Sequence, residues 1–112
     1  MKICYVSGPY RAPTENGVWE NIAAARAVAV ELWKLGYAVI CPHTNTAFFG
    51  IGPEHDHIFL EGDLEFIRRL DPATDCMVMI PGWMKSSGAK GERLLAIECG
   101  LTVYYWPDVP SA

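Results

Sequence analysis

Residues 75 to 106 read DCMVMIPGWMKSSGAKGERLLAIECGLTVYYW, and this stretch decides the fold. The run DCMVMI has strand length and no alternating polar positions, the pattern of a strand covered on both faces. The loop PGWMKSSGAKG follows, then a helix ERLLAIEC stopped by Gly100, then a second continuous apolar run, LTVYYW. A strand, a helix and a strand in that order form a parallel crossover unit.

The rest of the chain keeps the same alternation. KICYVSG reads as a buried strand that ends in a loop at Ser7, Gly8 and Pro9. A helix is expected from about Asn16 to Leu35, with Ile22, Ala25, Ala29 and Leu32 as its stripe and Gly36 as its stop. YAVIC is the next strand. PHTNTAFFGIGPEHDH, residues 42 to 57, reads as a long loop of the kind that carries function, and a helix runs from roughly Ile58 to Leu70. The short tail PDVPSA reads as loose. The whole implies an α/β fold, a parallel sheet with helices on both faces. In such folds ligands bind beyond the carboxyl ends of the strands, so the loops Ser7–Arg11, Pro42–Asn45 and Pro81–Gly88 are expected to converge on one crevice.

The 112 residues fit a single domain, residues 1–112, and 51% hydrophobic residues supply a core. A net charge of −4 argues against a nucleic acid polymer as partner, while a helix start can still hold one small phosphate. No run approaches the roughly 20 apolar residues of a membrane span, and MKICYVSGPY lacks the pattern of a signal peptide. Four scattered cysteines read as buried free thiols, and a cytoplasmic location is expected. The spacing of His43, His55 and His57, with Cys41 and Asp56, matches no standard zinc pattern, and no metal is expected. The phosphate-binding GxxxxGK[ST] and the dinucleotide GxGxxG are both absent.

Two carboxylates stand out. At helical spacing Asp63 shares a face with Phe59, Leu60, Phe66, Ile67 and Leu70, where a lone acid is costly unless paired or used. Alternatively the helix begins at Gly62 and Asp63 is a solvated cap. Glu92 shares one face with Leu95, Ala96 and Cys99, while Leu94, Ile97 and Leu101 form a second apolar side, so periodicity does not fix where it points. An ordinary first-turn glutamate is the competing reading. Ser86, Ser87 and the backbone from Gly88 to Gly91 form a candidate anion cradle, or Ser87 simply caps the helix.

With Ser7-Gly8, Asp63 within EGDLE (61 to 65) and the Ser86-x-Gly88-x-x-x-Glu92 spacing assembled, the chain resembles the nucleoside 2-deoxyribosyltransferase superfamily. In layout it is most similar to the 2′-deoxynucleoside 5′-monophosphate N-glycosidases or a small bacterial and phage branch. The resemblance implies a flavodoxin-like three-layer sandwich with a four- to five-stranded parallel sheet. It implies Glu92 as nucleophile, forming a deoxyribosyl ester, and Asp63 as the group that orients the sugar or protonates the base. Serine at position 86, where transferases of free nucleosides carry aspartate, implies a 5′-monophosphate substrate. Ser7 and Gly8 would hold the sugar and phosphate, Tyr10 would cover the ring and Arg11 would reach the phosphate, with a plain surface charge as the alternative for Arg11. His43 and Asn45 would read the base edge, with turn stabilisation as the alternative for Asn45. The expected activity is hydrolysis of the N-glycosidic bond without cofactor or metal, since a carboxylate nucleophile supplies the covalent chemistry. Base exchange by a transferase and a non-catalytic nucleotide sensor are the alternatives. The partner is a small-molecule nucleotide, with neither nucleic acid polymer nor membrane. The two-sided apolar helix and YYW suggest a homodimer or higher homo-oligomer.

Overall fold

Strand β1 (Ile3–Ser7) is buried from Cys4 to Ser7 and forms the sheet's inner register. The computed structural model describes residues 1–49 and 52–112. Along the chain β1 is followed by α1 (Glu15–Lys34), β2 (Ala38–Ile40), α2 (Pro42–Asn45), α3 (Asp56–Arg68), β3 (Cys76–Met79), α4 (Ser87–Glu98) and β4 (Thr102–Tyr105). Short 3-10 turns occupy Pro53–His55 and Trp83–Lys85. The four strands are parallel in the order β2-β1-β3-β4, with Cys4 beside Val39 on one side and Cys76 on the other.

Side-chain alternation along the strands sorts the core into two layers. Cys4, Val6, Cys76, Val78 and Ile80 pack under Ala25, Val28, Ala29 and Leu32 of α1. On the opposite face Tyr5, Met77 and Met79 meet Ile67 and Leu70 from the α3 end and Ala89, Ala96 and Leu101 from around α4. The result is the flavodoxin-like three-layer sandwich, α1 against the sheet against α3 and α4. The chain steps outward from β1 to β2, returns past β1 to β3, and continues to β4. Because parallel crossovers are right-handed, that reversal puts α1 on one face and α3 and α4 on the other. The reversal leaves a crevice at the carboxyl ends of β1 and β3.

Helix α1 is capped at both ends: the Thr14 hydroxyl accepts from Gly17 N–H at 3.0 Å, and Gly36, the stop expected from the sequence, takes the left-handed position at φ +98° after the Leu35 cap. Four element starts differ from the sequence expectation. Residues 42 to 57 are not one long loop: Pro42 opens α2, Pro53 opens a 3-10 turn, and α3 begins at Asp56. Gly50 and Ile51 of that stretch lie outside the described residues. Helix α4 begins at Ser87, five residues before Glu92, because Ser86 supplies the cap by accepting from Ala89 N–H at 3.2 Å. The segment Ser87–Gly91 is therefore helical. Leu101 lies beyond α4 and is buried, whereas Leu94 and Ile97 are exposed. All four cysteines are free thiols. Among the described residues no helix is long and apolar enough to cross a membrane.

Gly8, at the exit of β1, has no room for a side chain: a Cβ there would sit 2.1 Å from Cγ1 of buried Ile80. Gly62, inside α3, faces open space. Gly8→Ala is expected to destabilise the fold by about 1–3 kcal/mol through overpacking, and Gly62→Ala to stabilise it by about 0.5–1 kcal/mol through helix propensity. Chemical denaturation of the two variants beside the parent checks both signs.

Candidate active site

Alternation along β1 puts Ile3, Tyr5 and Ser7 on the face covered by α3 and α4. Tyr5 and Ser7 are fully buried, so their hydroxyls need partners inside the protein. Both find Glu92. The Ser7 hydroxyl donates to Oε1 at 2.8 Å, and the Tyr5 hydroxyl donates to Oε2. Glu92 is 8% exposed and occupies the second turn of α4, which overturns its reading as a first-turn glutamate. Burial raises its pKa, and the two hydroxyl donors act against that rise by favouring the ionised form.

Asp63 is the eighth residue of α3, so it is not a cap at the start of a helix. The face it shares is narrower than the sequence suggests: Ile67 and Leu70 are buried, Phe59 and Leu64 half-buried, and Leu60 and Phe66 point to solvent. Asp63 itself is half-buried, and α3 packs on α4. Its carboxyl is pushed up to about 7, first by burial and then by the nearby Glu92 charge. The two groups also act on Tyr5, whose phenol is driven far above its ordinary value by burial, then by Glu92 and then by Asp63. Two acids and a tyrosine thus form one electrostatic unit. Hydroxyl donors meet Glu92, and Asp63 holds its proton up to about pH 7.

Asp75 shows what a structural buried acid looks like in the same protein. At the opposite end of the sheet it accepts from Ile3 N–H and Asp71 N–H, each at 2.8 Å. Among the described residues Glu92 has no backbone donor; its partners are two side-chain hydroxyls.

The other candidates lie in the segments that follow β1, β2 and β3 along the chain. Ser86 caps α4, and Ser87 and Gly88 N–H groups have no partner among the described residues. Gly88 and Gly91 have no side chain above them, and an added Cβ would meet only Ser86 Oγ at 3.9 Å near Gly88. Arg11 forks onto Asp56 and lies 5.1 Å over the Tyr10 ring. His43 is buried: its Nε2–H donates to the Pro9 carbonyl at 2.8 Å, and Tyr10 meets its ring edge-on at 5.7 Å. His43 therefore braces the Gly8–Arg11 loop, and burial lowers its pKa. Asn45 is exposed at the end of α2. Among the described residues no three His, Cys, Asp or Glu side chains gather to hold a metal ion.

The sequence does not single out Tyr5, and it raises Asp56 only as a zinc ligand to be set aside. Tyr5 carried a usable signal, because a tyrosine inside an otherwise apolar buried strand must satisfy its hydroxyl. Asp56 carried none, since its partner is 45 residues away.

The pair Asp63 and Glu92 gives stability a defined pH dependence. Asp63 binds its proton more tightly folded than unfolded, so its contribution is fully present at low pH and is lost as pH rises through about 7. Asp63→Asn removes that loss. The variant is expected to melt higher than the parent at pH 8, with the gain shrinking toward pH 5, as read by thermal melts across pH.

Two solved structures share the fold. One is a 2-deoxyribosyltransferase from Bacillus psychrosaccharolyticus, with a TM-score of 0.60, 21% identity, 92% of this chain covered and 70% of the other. The second is a 2-desoxiribosyltransferase from Leishmania mexicana, with a TM-score of 0.60, 16% identity, 94% of this chain covered and 63% of the other, so the chain spans under two thirds of that protein. No curated protein matches the chain. The family model described as Domain of unknown function (DUF4406) matches residues 2–105, and the chain belongs to that family.

Proposed function

We propose that the chain breaks the N-glycosidic bond of a 2′-deoxynucleoside 5′-monophosphate, with Glu92 as nucleophile and Asp63 as the acid that protonates the departing base. One observation carries this reading: a buried carboxylate gripped by two hydroxyls lies beside a carboxyl that keeps its proton up to about pH 7. Asp63 then has a proton to give below about pH 7, and Glu92 is the acid whose ionised form the donors favour, the two roles a retaining glycosidase needs.

In the first step a Glu92 oxygen bonds to C1′ while the C1′–N bond breaks. The bonding pair leaves with the base, and the Asp63 proton neutralises it. In the second step the Asp63 carboxylate takes a proton from water. The water oxygen bonds to C1′, and the ester pair returns to Glu92. Tyr5 and Ser7 keep the carboxylate aimed throughout, so little reorganisation is needed at the moment of attack. The 5′-phosphate is assigned to the α4 start, where open N–H groups of Ser87 and Gly88, the Ser86 hydroxyl and the bare Gly88 and Gly91 backbone suit an anion.

The fold shared with two deoxyribosyltransferases favours a second reading with the same first step, in which an acceptor base replaces water. Incubation with mixed deoxynucleoside monophosphates, with and without an added free base, separates the two: hydrolysis yields deoxyribose 5-phosphate, and exchange yields a new nucleotide. Glu92→Gln is expected to lower base release by about a thousandfold or more and to abolish any sugar adduct at position 92. If the parent releases no base and exchanges none, a non-catalytic nucleotide-binding role replaces the enzyme. For the parent, the rate is expected to fall as pH rises through about 7, because Asp63 loses the proton it donates.

Ser86→Asp tests the phosphate assignment without removing the cap, since aspartate caps helices as well as serine. Its charge would oppose a phosphate, so KM for a 5′-monophosphate is expected to rise by about tenfold or more, with a smaller change for the free nucleoside. Equal changes for both would move the phosphate elsewhere.

A further inference from the structure

We propose that Asp56 is a built-in competitor for the anionic end of the substrate: it holds Arg11 across the crevice mouth until a phosphomonoester takes the guanidinium from it. The proposal rests on reading the crevice as a nucleotide site and adds a residue and a selection step to it.

The position of the pair is the first support. Arg11 lies four residues beyond Ser7, on the loop leaving β1. Asp56 is the first residue of α3, seven before Asp63. Seven residues are almost two helical turns, so the two aspartates share a face and stand about 10 Å apart along the axis. Helix α3 thus presents one acid beside Glu92 and a second further out on the same line, with Arg11 bound to the outer one. That separation is on the scale of a sugar and its phosphate.

The chemistry of the pair is the second. The contact is a fork: Arg11 Nε donates to Asp56 Oδ2 at 2.6 Å, and Nη2 donates to Oδ1. A guanidinium fork fits a phosphate as well as a carboxylate, and the phosphate brings more charge. Both side chains are open to water, 50% and 41% exposed, where such a pair contributes little to stability. Neither end is stranded by the exchange. The Tyr10 ring under the guanidinium, and His43 behind Tyr10 and Pro9, keep the arginine at the mouth. Asp56, in the first turn of α3, keeps the favourable field of the helix start. A crevice already carrying Asp63 and Glu92 needs a cation to admit an anion, and a sugar without phosphate has nothing with which to displace Asp56.

The test is calorimetric titration with 2-deoxyribose 5-phosphate, using 2-deoxyribose as the uncharged control. Asp56→Asn is expected to bind the sugar phosphate about two- to fivefold tighter, the worth of an exposed ion pair removed as competitor. Arg11→Gln is expected to weaken binding by about tenfold. The double variant should bind as weakly as Arg11→Gln alone, because Asp56 acts only through Arg11. Asp56→Ser, which also suits a helix start, repeats the measurement should Asn perturb the fold. Unchanged or weaker binding in both Asp56 variants overturns the proposal. So does a gain that survives in the Arg11→Gln background, and so does a parent and an Asp56 variant that both fail to bind. The glycosidase reading is scored separately by base release. Release with unaltered Asp56→Asn binding sinks the competitor and leaves the enzyme; tighter binding without release does the reverse.

Discussion

The Glu92 carboxylate, held by the hydroxyls of Tyr5 and Ser7, is the interaction on which the candidate site depends. It ties helix α4 to strand β1, so the two elements are set by side-chain hydrogen bonds as well as by packing. A carboxylate removed from water is costly unless donors meet it. Here the donors come from one face of one strand, at the two-residue spacing that pleating imposes. The same bonds fix the carboxylate's direction and favour its ionised form against the burial that opposes it, while Asp63 holds a proton up to about pH 7.

The sheet order gives that arrangement its location. Right-handed crossovers and a reversal between β1 and β3 put two helices on the face to which Tyr5 and Ser7 point, and one helix on the other. Both acids belong to the two-helix face. The crowding that raises the Asp63 pKa therefore follows from topology: α3 and α4 must lie side by side there, and each contributes one carboxyl. The α1 face, lined by Cys4, Val6, Val78 and Ile80, contains no comparable acid among the described residues and serves packing.

The strands and the long helices are legible in the sequence, because continuous apolar runs and the Ile22–Leu32 stripe leave few alternatives, and the fold shared with solved structures agrees with that architecture. The segment from 42 to 57 was misread as loop, since its short helix and 3-10 turn begin at prolines and lack the length for a periodic signal. The start of α4 was set too late because Gly88 and Gly91 suggest a loop, while the Ser86 cap draws them into the helix. Asp63 was noticed as an acid on an apolar face; the exposure of Leu60 and Phe66 shows that this face was drawn too wide.

What the sequence determined by itself was the fold and the short list of acids, since period and strand–helix order are local properties that a chain displays without folding. What only the tertiary structure decided was which groups meet. Glu92 on a helix that is apolar on two sides has no direction until Tyr5 and Ser7, more than eighty positions earlier, supply the donors. Arg11 has no partner until α3 brings Asp56 to it, and His43 is a brace only once Pro9 arrives. Hydrogen bonds and charges act over a few ångströms, and distance along the chain says nothing about distance across the crevice.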